Sequence, residues 1–251
     1  MSAPSGPTVT VTGPPVTVTA APSAAPVTVT APPVTVTVPQ PPGSEDSVAV
    51  LAALAVKGRA PKTGYDRAMF GQAWSDDVSV EGGHNGCDTR NDVLRRDLRS
   101  VGLKPGSSGC AVLTGALQDP YTGASIAFRR GQATSSMVQI DHIVALGNAW
   151  ETGAQQLSAE RRRNLSNDPL NLWAVSGAAN QQKGAGDAAT WLPANTSIRC
   201  VYVARQVAVK LTYGLWVTGP ERDAMKRVLD GCPGQPLPAA KDWDTPAPAG
   251  G

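Results

Sequence analysis

The run Val138-Gln139-Ile140-Asp141-His142-Ile143-Val144 is short, apolar and β-branched, and an acid and a histidine stand side by side within it. About thirty residues later comes Asn167-Asp168-Pro169-Leu170-Asn171-Leu172-Trp173-Ala174-Val175, and then Asn180-Gln181-Gln182-Lys183-Gly184. The first run predicts a strand over residues 137–140 that delivers Asp141 and His142 at its end. The last predicts a helix on which Asn180 and Lys183 share a face, one turn apart.

These residue types suit phosphodiester hydrolysis. A water must lose a proton, the phosphate charge must be neutralised, and the leaving oxygen must be stabilised. One imidazole and one hard cation can do all three. Neighbouring strand residues point in different directions, so one of Asp141 and His142 can reach a metal while the other faces the water. Asn180 offers a second, neutral oxygen to a Mg²⁺-class ion that keeps several waters. Asn171 can hold the loop backbone and the imidazole in place. Lys183 would face the same groove and bind substrate.

At these positions the sequence resembles the HNH nucleases. It is most similar to exported actinobacterial HNH proteins related to the C-terminal domain of GmrSD-type restriction enzymes. The resemblance rests on Asp141-His142-Ile143-Val144, Ala149-Trp150, Gly153-Ala154, Asn167 to Leu172, Asn180 to Gly184 and Trp191-Leu192-Pro193. It also takes in Gly86-Cys87-Asp88-Thr89-Arg90-Asn91, so it covers roughly residues 48–232. It implies an α+β fold, with a ββα-metal motif embedded in a mainly helical domain. It implies His142 as general base, Asn171 as the middle member of the set, and Asp141 and Asn180 as ligands of one ion. An asparagine at the third position favours Mg²⁺ or Mn²⁺ over zinc.

The rest of the chain sets the context. Residues 1–43 repeat Val-Thr phrases between prolines and carry no charged side chain, which predicts a disordered linker. Residues 233–251 return to Pro, Ala and Gly and predict a disordered tail. The nuclease-like domain is then 44–232. The net charge of +2 does not by itself argue for nucleic-acid binding, because phosphate affinity follows local Lys and Arg density. Four cysteines, Cys87, Cys110, Cys200 and Cys232, lack zinc-ribbon spacing and fit two disulfides in an oxidising compartment. Pairing 87 with 110 and 200 with 232 closes the two local loops, although three pairings are open. The first residues lack the basic start and apolar core of an export signal, which leaves secreted, cell-surface and cytoplasmic phage-encoded readings open. No apolar run is long enough to span a membrane.

Between these landmarks the apolar spacing predicts a helix from Ser44, its cap, to about Gly58. A second helix carries Val93, Leu94, Leu98 and Val101, with Asp88 or Asn91 as its cap. A hairpin follows over 110–130, then a helix through Trp150 and Leu157, and helices over 198–213 and 221–229. Arg90, in a loop anchored by Cys87, either contacts a phosphate or pairs with Asp88. Lys57, Arg59 and Lys62, and the run Arg161-Arg162-Arg163, are the basic clusters. The expected function is a metal-dependent endonuclease acting on DNA, with RNA as the second candidate. It would be a monomer without a stable protein partner. The alternative is an inactive surface-binding protein on a nuclease scaffold.

Overall fold

The computed structural model describes residues 46–238. The predicted linker over 1–43, the Ser44 cap and residues 239–251 lie outside the described residues.

In chain order, α1 (Ser47–Ala53) leads through extended chain and a 3-10 turn at 67–70 to α2 (Thr89–Asp97). Then come β1 (Leu98–Leu103), β2 (Val112–Gln118) and β3 (Ser125–Arg129), an antiparallel meander in the order 1-2-3. β4 (Val138–His142) follows, then α3 (Leu146–Glu151), α4 (Ala159–Asn167), β5 (Leu172–Ser176) and α5 (Gly177–Lys183). α6 (Arg199–Tyr213) and α7 (Gly219–Leu229) complete the body. The fold is α+β, as the sequence implied.

β4 and β5 form a separate antiparallel ribbon, with Val138 opposite Ser176, Asp141 opposite Trp173 and His142 opposite Leu172. The ribbon lies between two apolar clusters. Along β5, Leu172 and Ala174 pack with α2 and the three-stranded sheet, whereas Trp173 and Val175 pack among the helices. That alternation is the two-residue period of a strand buried on both faces, and it explains why residues 172–175 are apolar without a break.

Several boundaries differ from the sequence reading. Asp46, not Ser44, caps α1 by accepting from the Val48 N–H at 2.7 Å, and α1 ends at Ala53 rather than Gly58. Beyond it the chain is extended, with the Lys57 N–H donating to Val217 O. Asp88 caps α2 as expected. The helix stops at Asp97, and Leu98 and Val101 belong to a strand. Arg96 and the Ala174 N–H both hold the Asp97 carboxylate, and β2 captures the next residues. These are non-local contacts that helical spacing cannot report. Leu157 is outside a helix, because α3 ends at Glu151 and Gly153 takes φ +126°. The body also runs past 232: Leu237 is buried and Gln235 O accepts from the Ser47 N–H. Disulfides join Cys87 to Cys110 and Cys200 to Cys232.

Candidate active site

His142 ends β4 with a buried side chain. Its Nε2 lies 2.9 Å from Ser166 O, in the last turn of α4. Carbonyls in a final helical turn have no partner within the helix. The ring satisfies one of them, and Asn171 Nδ2 satisfies Leu165 O at 3.2 Å. A carbonyl only accepts, so Nε2 must carry the proton. Nδ1 is then the basic nitrogen, and it makes no hydrogen bond among the described residues. Trp74 lies nearly parallel to the imidazole, with ring centroids 6.1 Å apart, and its backbone is held at φ +59°. Burial pushes the His142 pKa down to about 3, and the positive charges of Arg67 and Lys183 add to the effect. The ring is therefore neutral at ordinary pH.

Asp141 points to the other face of the ribbon. Its Oδ2 accepts from the Tyr121 hydroxyl at 2.5 Å. The Lys183 ammonium lies 3.0 Å from Oδ1 and 2.9 Å from Oδ2, and it also donates to His142 O at 2.7 Å. Burial and the Asp141 charge hold the Tyr121 phenol well above its usual pKa, so it remains a donor. Asn180, on α5, donates to Gln139 Oε1 at 2.9 Å. Asp141, His142, Asn180 and Gln139 line one cavity of about 270 Å³, which Tyr65, Arg67 and Gly147 also border. A second, smaller cavity of about 50 Å³ lies between His142, Trp74, Phe70 and Arg67.

The structure thus brings Asp141, His142 and Asn180 together. Asn171 is fully buried, accepts from the Val144 N–H at 2.8 Å and takes the Ile143 N–H on its own carbonyl. It fastens the backbone beyond β4, but Ser166 holds the imidazole. Lys183 does not face the groove, because it is buried beneath Asp141. Arg90 is not among the residues lining either cavity, and burial and Arg130 lower its pKa. The basic clusters are mostly committed within the protein. Arg59 pairs with Glu151 and Asp187. Arg161 and Arg162 donate to Thr212 O and Met69 O, and Arg163 pairs with Asp77. Sequence reasoning missed Tyr121, Ser166, Trp74 and Arg67. All four lie at least twenty residues from the motif residue they meet, with no local pattern linking them.

Over residues 88–228 the chain matches the family described as GmrSD restriction endonucleases, C-terminal domain. It belongs to this family. The GmrSD C-terminal-domain match contains Asp141, His142, Asn171, Asn180 and Lys183, and the family is one of nucleases, whose substrate is nucleic acid. The chain is also similar to an uncharacterized secreted protein of Arthroderma benhamiae, 34% identical over 196 residues, which spans 77% of this chain and 88% of that one. No solved structure matches the chain.

Among the described residues no three His, Cys, Asp or Glu side chains group closely enough to hold a metal. An ion that keeps most of its waters needs fewer protein ligands. Among the described residues Asp141 Oδ1 accepts from Lys183 alone, which leaves one of its lone pairs open, and Asn180 has an amide oxygen at the same cavity. Two oxygen donors fit a hard divalent cation in kind. The Lys183 ammonium opposes it in charge, so binding should be weak.

Proposed function

We propose that the chain is a secreted, metal-dependent HNH-type endonuclease that hydrolyses DNA phosphodiester bonds with little sequence preference. The observation that carries this reading is the His142 tautomer: Nε2 donates to Ser166 O, which leaves Nδ1 as the basic nitrogen of a ring that lines the same cavity as Asp141 and Asn180. In this reading His142 Nδ1 takes the proton of the attacking water. The imidazolium that forms is supported by the Nε2–H bond to Ser166 O and by the negative end of α4. An anionic phosphate beside the ring would also raise the basicity that burial lowers. Asp141 and Asn180 would hold Mg²⁺ or Mn²⁺, which when bound supplies charge neutralisation at the phosphate and the leaving oxygen. Lys183 and Tyr121 keep the Asp141 carboxylate in one orientation. Asn171 fixes the chain that follows it. Two disulfides and a relative named as secreted support export.

The test is plasmid nicking with Mg²⁺ or Mn²⁺. His142→Ala should lower the rate on the order of a thousandfold with the fold intact. Cleavage equal to wild type would end the assignment. One observation favours an inactive binding scaffold instead: Lys183 already neutralises the single carboxylate of the site. Mn²⁺ titration of wild type and Asp141→Asn separates the two readings, since a dead scaffold gives no Asp141-dependent binding.

A further inference from the structure

We infer that Arg67 is the residue that grips the scissile phosphate, an inference that rests on the nuclease reading above. Arg67 borders both cavities that flank His142, and among the described residues it is the one Lys or Arg that does so. Its side chain is exposed and has no hydrogen bond or ion pair among the described residues. The neighbouring carboxylate, Asp66, is already committed: it caps the 67–70 turn by accepting from the Ala68 N–H at 2.8 Å. Lys183, the other positive charge near the ring, is held by Asp141.

The mounting of Arg67 is firm although its head is free. Phe70 is buried and meets Trp150 and Tyr65 with ring centroids 6.3 and 6.4 Å apart. Phe70 O accepts from Ser166 Oγ at 3.0 Å, and Arg162 Nε donates to Met69 O at 2.8 Å. Ser166 is also the residue whose carbonyl holds His142. One residue therefore ties the turn that carries Arg67 to the imidazole, which fixes the base of the Arg67 side chain relative to His142. A guanidinium offers paired N–H donors that match two non-bridging phosphate oxygens. An unpartnered guanidinium on a fixed base, at the mouth of a cavity lined by His142, suits that ligand. Arg67 lies before the segment matched to the family, 88–228.

The experiment measures anisotropy of a fluorescein-labelled 20-base-pair duplex bound to the full chain in EDTA, from 50 to 200 mM NaCl. Initial nicking rates with Mn²⁺ are measured in parallel. Arg67→Ala should keep the wild-type melting curve and lose about 10- to 100-fold in affinity at low salt. The slope of log affinity against log salt should fall by about 0.9, the value for one phosphate contact. Arg67→Lys should retain the slope but recover only part of the nicking rate. Arg222→Ala, which removes a surface arginine paired with Asp223 on α7, should behave as wild type. If wild type binds and cuts while Arg67→Ala has the same affinity and slope, the role of Arg67 is overturned and the nuclease reading stands. If wild type neither binds nor cuts, both fall.

Discussion

Among the described residues two lysine side chains are wholly buried, each against a carboxylate, and they do different things. Lys210 on α6 lies 3.0 Å from Glu221 on α7 and donates to Trp216 O at 2.9 Å, with Asn148 and Thr152 oxygens at 3.3 and 3.4 Å. Glu221 in turn receives the Thr218 N–H in a capping box. No member of this network lines either cavity beside His142. Lys183 is equally buried, but its partner Asp141 presents an edge to the larger cavity. The first pair joins helices and is closed on every side. The second holds a carboxylate in place for something outside the protein. Burial of a charge pair therefore says little about function; an oxygen left open toward a cavity says more.

Replacing one lysine at a time gives the largest effect on stability. Lys183→Met and Lys210→Met should each cost about 3–5 kcal/mol, because each strands a buried carboxylate. The comparison sharpens when both partners are replaced. Lys210→Met with Glu221→Leu should recover most of the stability and keep wild-type nicking. Lys183→Met with Asp141→Leu should recover stability while nicking stays abolished. Urea midpoints and nicking rates measured side by side decide the matter. An active Asp141→Leu double variant would show that the two pairs are the same kind of object.

The next effect is a pH dependence that belongs to the site alone. His142 is held to about 3 in the fold, against an ordinary value of 6.5. Between those values the unfolded chain binds a proton that the folded chain does not, so stability rises with pH there. The contribution is fully present above pH 6.5 and is lost as pH falls toward 3. Its ceiling is about 5 kcal/mol. Urea midpoints of wild type should therefore fall in acid more steeply than those of His142→Ala. Parallel curves for the two proteins over pH 4–7 would mean that burial does not hold the ring neutral.

The same contrast explains how much was legible in the sequence. The strand ending in Asp141-His142 and the helix carrying Asn180 were readable because their apolar and helical spacing is local; the partner strand β5 came only with the resemblance. The long α6 was readable from its apolar spacing, and the 110–130 hairpin from Asp119-Pro120-Tyr121-Thr122-Gly123. β1 was not, since Leu98 and Val101 keep a spacing that a helix also shows, and only pairing with β2 decides. Lys183 read as a groove residue because Asn180 and Lys183 do share a face of α5. That Asp141 waits beneath Lys183 is tertiary information. Tyr121, Ser166 and Arg67 reach the site across at least twenty residues of chain, and Lys210 and Glu221 meet through a helix packing that sequence period alone does not align.

The smallest predicted effect separates the two regions most finely. Tyr121 donates to Asp141 Oδ2 at 2.5 Å, and Tyr213 donates to Asp168 Oδ2 at 2.6 Å. Both phenols are buried, and both carboxylates also serve other partners: Lys183 for Asp141, and the Leu170 N–H for Asp168. Tyr121 packs edge-on to Trp191 and Tyr202, with centroids 4.9 and 5.7 Å apart, so phenylalanine would keep the packing and lose only the hydroxyl. Tyr121→Phe and Tyr213→Phe should each cost about 1–2 kcal/mol in thermal or urea stability. Only Tyr121→Phe should also slow nicking, by about tenfold or less, because only Asp141 borders the cavity. The slowing should appear in kcat with KM unchanged, as expected when a carboxylate is oriented less well rather than when substrate binds less tightly. Equal stability losses with equal nicking would reduce Tyr121 to packing and leave Lys183 as the only group orienting Asp141.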